Sequence, residues 1–181
     1  MQIEETKLPG VLRLTPAIYK DNRGAFMETF NLRAMAEAGL PANWVQDNFS
    51  VSKKNVLRGI HYQVKQPQGK LVRVTHGTVL DLAVDLRRSS PAFGKHVAVE
   101  MSAEDGAMLW IPEGFGHAFL VLSEEAGFAY KVTDYYSQEG ERTILWNDPD
   151  LGIDWPAAAS GAIVSEKDQR GARFRGAEVF E

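Results

Sequence analysis

The sequence predicts a mainly β fold, with antiparallel strands in two layers closed as a jelly roll or barrel and a few short helices. Three observations predict it. Short apolar runs recur along 181 residues, and 16 Gly and 8 Pro punctuate them. Several runs alternate apolar with more polar side chains, the period of a half-buried strand. A single segment carries clear helix signals.

That segment, residues 31–39, opens on the cap residue Asn31, continues in helix formers and ends on Gly39, so it predicts a helix of about two turns. Val72 and Val74, then Leu80, Leu82, Val84 and Leu86, read as two strands separated by a turn at His76-Gly77. Residues 96–101, 107–111, 118–122, 128–136 and 143–146 read as further strands. Pro91, Gly94, Asp105-Gly106, Pro112, Gly114, Gly127 and Gly140 punctuate this half of the chain. The polar tail, residues 160–181, fits short helices packed on a sheet and irregular chain equally well.

Size and composition bound the rest. The length suits one domain spanning residues 1–181. Hydrophobic residues make up 44% and charged residues 24%, a globular balance rather than a disordered one. No apolar run approaches membrane-spanning length, and the N-terminus lacks the apolar stretch of a secretory signal, so a cytoplasmic protein is expected. There is no cysteine, which excludes disulfides, thiolate metal sites and a Cys nucleophile. The net charge of −4 disfavours nucleic acid as a partner, while a local Arg/Lys cluster could still hold a small anion.

Four histidines are present. His76 falls in a turn and His96 opens a strand, and neither is assigned a role. His61 lies in VLRGIHYQ (56–63), a strand too polar for simple core. Arg58 and His61, three apart, would face opposite ways in a regular strand, and Gly59 offers a bulge that could realign them. Lys70 starts the next strand, where a solvated charge is as good a reading as a functional one. Tyr130 and Tyr136 are six apart, so one continuous strand would set both, with Asp134, on one face that could wall a ligand. Asp168 could orient a histidine. His117 ends a G-x5-P-x-G-x2-H pattern running from Gly106, which resembles the second motif of the cupin superfamily. The first cupin motif normally supplies a His-x-His pair, and here it reads His61-Tyr62-Gln63. A metal needs three or four converging N/O ligands, so the pattern speaks for a cupin-type jelly roll more than for a metal.

Several motifs in one order make the resemblance more specific. They are DNRG (21–24), FMETF (26–30), QDNFS (46–50), LRGIHYQ (57–63), QGKLVR (68–73), DLRRSSP (85–91), LWIPEGFGH (109–117), YKVTDYY (130–136) and ILWND (144–148). Together they resemble the dTDP-4-dehydrorhamnose 3,5-epimerases, cupin-fold isomerases of deoxysugar-nucleotide synthesis. The likeness runs from about Gly10 to Asp168 and leaves residues 170–181 unread.

The resemblance implies a metal-free, cofactor-free homodimer acting on a dTDP-linked 4-keto-6-deoxyhexose in dTDP-rhamnose biosynthesis. It gives His61 as base, Asp168 as its partner, Tyr130 as the acid on the opposite face and Lys70 as the cation at the ketone oxygen. Arg23, Glu28, Gln46, Asn48, Arg58, Lys70, His117, Glu141 and Lys167 match substrate-binding positions, and Tyr136 matches an aromatic that stacks on thymine. Three other readings stay open at this point. They are an epimerase of C3 or C5 alone on another nucleotide sugar, a metal-dependent cupin, and a non-catalytic sugar-binding cupin. Gln63 disfavours the second. The joint presence of His61, Asp168 and Tyr130 disfavours the third.

Overall fold

The computed structural model describes residues 1–181. In chain order the strands are β1 (Gln2–Glu5), β2 (Leu12–Thr15), β3 (Ile18–Asp21), β4 (Gly24–Met27), β5 (Gln46–Lys53), β6 (Val56–Gln63) and β7 (Lys70–His76). There follow β8 (Thr78–Asp85), β9 (His96–Ser102), β10 (Met108–Ile111), β11 (Phe115–Val121), β12 (Glu125–Val132), β13 (Glu141–Thr143) and β14 (Ile163–Val164). Two α-helices, α1 (Leu32–Glu37) and α2 (Glu166–Gln169), and two short 3₁₀ turns complete the chain. One sheet runs β1-β2-β10-β7-β12-β5, and the facing sheet runs β13-β6-β11-β8-β9, with β14 parallel to β6. All other pairings between these strands are antiparallel, and β3 and β4 form a separate hairpin. The mainly β expectation is met. No helix is long and apolar enough to cross a membrane.

The apolar alternation explains how the layers close. Val72, Val74, Leu109, Ile111 and Phe128 from one sheet meet Val79, Ala83, Phe119 and Val121 from the other. Each such buried Val, Leu, Ile or Phe side chain contributes about 1.5–3 kcal/mol. The outer faces are covered as well. Helix α1, capped by the Asn31 side chain as its sequence predicts, lays Met35 on Leu14, Leu71, Met108 and Trp110. Leu82, Val84 and Leu86 pack under Ile144, Leu151, Phe174, Ala177 and Phe180. Strand β8 is therefore covered on both sides rather than half-buried as its alternation suggests. The cover is the C-terminal tail, which mixes short helices with irregular chain.

Two other expectations are corrected. The predicted strand 128–136 ends at Val132, because Val132 pairs with the first residues of both neighbours, Gln46 of β5 and Lys70 of β7. Tyr136 and Asp134 thus lie in a loop, and the shared-face argument for them fails. The predicted strand 143–146 is displaced to Glu141–Thr143, where β6 offers Gln63, Tyr62 and His61 as partners.

Candidate active site

The site opens between the two sheets, where β6 and β11 face β5, β7 and β12. Its geometry starts with an irregularity in β6. His61 pairs with His117 and Arg58 with Phe119, so three steps on β6 match two on β11. The extra residue is the bulge that Gly59 was expected to allow, and it brings Arg58 and His61 to the same cavity. Gly59 is needed there: its φ is +123°, and a Cβ would stand 2.5 Å from Ala118 Cβ.

The cavity, about 360 Å³, is lined by Asn48, Arg58, His61, Lys70, His117, Tyr130, Tyr136, Glu141 and Lys167. Nine of the expected site residues are thus brought together. Asp168 stands behind His61, with its Oδ1 2.6 Å from His61 Nε2. Its Oδ2 accepts from Gly59 N–H at 3.2 Å, and its side chain is buried. Burial alone would raise this carboxyl. The hydrogen bond and charge of His61, with Gly59 and Lys167, outweigh it and hold Asp168 below the usual range. Burial lowers the His61 pKa against the opposing pull of Asp168, so the imidazole is neutral near pH 7 and can accept a proton.

Lys70 is buried, not a solvated strand-end charge. Burial brings its pKa down to about 8, against the attraction of Asp81 and Glu141. Its ammonium donates to the His61 carbonyl at 3.3 Å. On the facing sheet Tyr130 is pushed above its ordinary pKa by burial, with Arg58 opposing, so its hydroxyl keeps its proton. At the mouth, Lys167 Nζ meets Glu141 Oε1 at 2.8 Å, and Tyr136 donates to Glu141 Oε2 at 3.2 Å. Burial would raise Glu141, but Lys167 and Tyr136 hold it below its usual pKa.

Besides Asp168, three expected residues do not line the cavity. Gln46 stands at its rim, donating to Asn48 Oδ1 at 2.8 Å. Arg23 is exposed beside Asp21 at the β3–β4 turn, 2.6 Å from its carboxylate. Glu28 accepts from Asn31 outside the cavity. Asp134 also turns away, accepting from Gln66 and from Tyr135 N–H.

Some contributors were not foreseen. Phe119 and Phe128 stack at 4.2 Å and floor the cavity beside His117. Asp81, fully buried on β8, holds His117 Nε2 at 2.9 Å, and its Oδ1 has no partner. An acidic residue inside the apolar run VLDLAV (79–84) was the available signal. Both cavity histidines therefore spend Nε2 on a carboxylate, and no group of three or more His, Cys, Asp or Glu side chains converges as a metal would require.

The comparisons with known proteins give the family. The family model described as dTDP-4-dehydrorhamnose 3,5-epimerase matches residues 5–176. A Pseudomonas aeruginosa protein of that name is 51% identical over 99% of both chains, and one from Shigella flexneri is 50% identical over 99% of both. The solved dTDP-6-deoxy-D-glucose-3,5-epimerase of Legionella pneumophila, in complex with dTDP-4-keto-L-rhamnose, superposes with a TM-score of 0.94 at 46% identity, over 98% of this chain and 94% of that one. A 3'-monoepimerase from Streptomyces bikiniensis in complex with dTDP-quinovose is more distant, at 33% identity and a TM-score of 0.88, over 94% of this chain and 86% of that one. A model match across almost the whole chain, together with relatives at half identity, assigns the protein: it belongs to the dTDP-4-dehydrorhamnose 3,5-epimerase family of isomerases.

Proposed function

We propose that this chain inverts C3 and C5 of dTDP-4-dehydro-6-deoxyglucose to give dTDP-4-dehydro-L-rhamnose, a step of dTDP-rhamnose synthesis. The observation that carries the reading is the placing of acid and base. A neutral His61 backed by Asp168 comes from one sheet, a protonated Tyr130 comes from the other, and both line one cavity. Inversion at carbon needs that arrangement, because the proton leaves one face and returns to the opposite one.

Both carbons flank the 4-ketone, so loss of either C–H as a proton leaves an enolate. His61 takes the proton, and Asp168 stabilises the imidazolium that results. Lys70 is the cation for the enolate oxygen, and its charge works harder in a buried site than in water. Tyr130 gives its hydroxyl proton to the opposite face of C5, and the C3 enolate takes its proton from solvent water on that opposite face. The phenolate then regains a proton and His61 releases one, which restores both groups.

Arg58, His117, Asn48, Gln46, Glu141 and Lys167 are assigned to substrate binding, and Tyr136 to stacking on thymine. The cationic groups suit the diphosphate. Arg23 and Glu28 fit the same ligand only if the β3–β4 region crosses to a second copy, so the working unit is a homodimer. The hairpin carries exposed Tyr19 and Phe26, side chains suited to such a contact. The catalytic unit is one domain, works in the cytoplasm and needs no metal or other cofactor; Gln63 in place of the second cupin histidine, and the lack of three converging His, Cys, Asp or Glu side chains, support this.

The test is product identification. Incubation with dTDP-4-dehydro-6-deoxyglucose, followed by NMR, should give the L-rhamno product. Inversion at C3 alone would place the chain with the monoepimerases, and no turnover would refute the reading.

A further inference from the structure

The loop that carries Tyr136 is held by an unusual set of side chains. Residues 134–137 follow the end of β12 and have lost the hydrogen-bond partners of a sheet. Three glutamines replace them, and a fourth, Gln66, holds the Asp134 side chain. Gln68 Nε2 donates to the Asp134 carbonyl at 2.9 Å, and Gln66 Nε2 to Asp134 Oδ1 at 3.3 Å. Gln46 Oε1 accepts from Tyr136 N–H at 3.3 Å. Gln63 makes the most contacts: its Nε2 donates to the carbonyls of Tyr135 (3.2 Å) and Gln66 (2.7 Å), and its Oε1 accepts from Ser137 N–H at 3.0 Å.

Gln63 differs from the others in burial and in placement. It is only 5% exposed, and it sits two residues after His61 on β6. Both partners of its nitrogen are carbonyls and the partner of its oxygen is an N–H, which fixes the orientation of the amide. No shorter or singly polar side chain could serve all three groups at once. The contacts bracket Tyr136 on either side, at Tyr135 and Ser137. Gln63 also stands where the cupin pattern places its second histidine. A position that could have bound a metal instead ties a loop to the catalytic strand.

We propose that Gln63 is a positioning residue for nucleotide recognition. It fixes the 134–137 loop to the strand of His61, so that Tyr136 is already at the cavity mouth when the nucleoside end of the substrate arrives. This rests on the assignment of a dTDP-sugar as ligand, and it adds a residue that lines the same cavity and acts through Tyr136, so that its effect disappears when Tyr136 is removed. A preorganised stacking surface costs less ordering on binding, so loss of the tie should appear in affinity more than in turnover.

The experiment is a double-mutant cycle with dTDP itself as the probe. Calorimetry measures dTDP binding to the parent, Gln63→Leu, Tyr136→Ala and the double variant, and steady-state kinetics gives kcat and KM for each. Gln63→Leu should weaken dTDP binding by about tenfold, the order expected from disorganising one base-stacking contact. KM should rise in parallel, with kcat changing by less than about threefold. On the Tyr136→Ala background the same change should cost less than about twofold, because its effect is already spent. Gln63→Glu keeps the volume and the acceptor for Ser137 while losing both donations, and it takes the place of Gln63→Leu should that variant not fold. Full additivity, or a fall in kcat at unchanged dTDP affinity, would overturn the clamp. Equal dTDP binding by parent and variant would overturn the clamp alone, whereas no dTDP binding by the parent would overturn the assignment it rests on as well.

Discussion

Changing Lys70 to methionine should make the protein more stable and far less active. Lys70 is 7% exposed, and burial lowers its pKa from 10.5 to about 8. A lysine whose pKa falls on folding destabilises the folded state wherever it is charged in both states. That condition holds below about pH 8. Between about 8 and 10.5 the unfolded chain binds more protons, so stability rises with pH across that window. The full difference corresponds to about 3 kcal/mol. Methionine fills a similar volume without the charge. Lys70→Met should therefore gain as much as about 3 kcal/mol at pH 7, or about 6–12 °C in Tm for a chain of this size. The same charge stabilises the enolate, so kcat should fall by about 100-fold or more, with deuterium exchange and epimerisation lost together. In the parent, activity should decline as Lys70 deprotonates through about pH 8, and this limb should vanish from the residual activity of the variant. Thermal melts at pH 7 and pH 9.5, with a kcat–pH profile, check both halves. A variant that melts no higher than the parent at pH 7 and keeps the limb near 8 would refute the argument.

Three further outcomes follow from the same geometry. Tyr130→Phe leaves the base and the cation in place, so it should still exchange solvent deuterium with retention while inversion at C5 falls sharply; unchanged C5 inversion by NMR would remove the acid role. Asp168→Asn removes the charge that pulls the His61 pKa upward, so kcat should drop by about 100-fold or more and the acid limb of the profile should move to lower pH. An acid limb that stays in place would separate Asp168 from His61 function. Exhaustive chelation should leave activity intact, whereas activity lost and then restored by one divalent ion would return the metal-dependent cupin reading.

Local patterns carried much of the fold and singled out Arg58, His61, Lys70, His117, Tyr130, Tyr136 and Asp168, while the family likeness supplied their roles and the other expected site residues. The short apolar runs foretold the strands from β6 to β12 but none of β1 to β5, and Asn31 with Gly39 foretold α1, because caps and periodicity are local signals. Gly59 foretold the bulge, since a glycine in a polar strand invites a register change. Strand ends were less legible: β12 stops at Val132 because its neighbours begin there, and nothing in YKVTDYY says so. The 0% exposure of Asp81 and the packing of residues 170–181 over β8 depend on contacts distant in sequence, which no local window contains. Family likeness supplied Arg23 and Glu28, which spacing could not have linked to His61 and which the single chain leaves outside the cavity.

The most direct test of the account concerns His61. The parent and His61→Asn are incubated with dTDP-4-dehydro-6-deoxyglucose in deuterated water, and deuterium at C3 and C5 is followed by NMR while dTDP binding is measured on the same samples. The account predicts uptake at both carbons in the parent. In the variant it predicts uptake at neither, with dTDP still bound. Exchange retained at either carbon in His61→Asn would contradict a single base on one wall of the cavity.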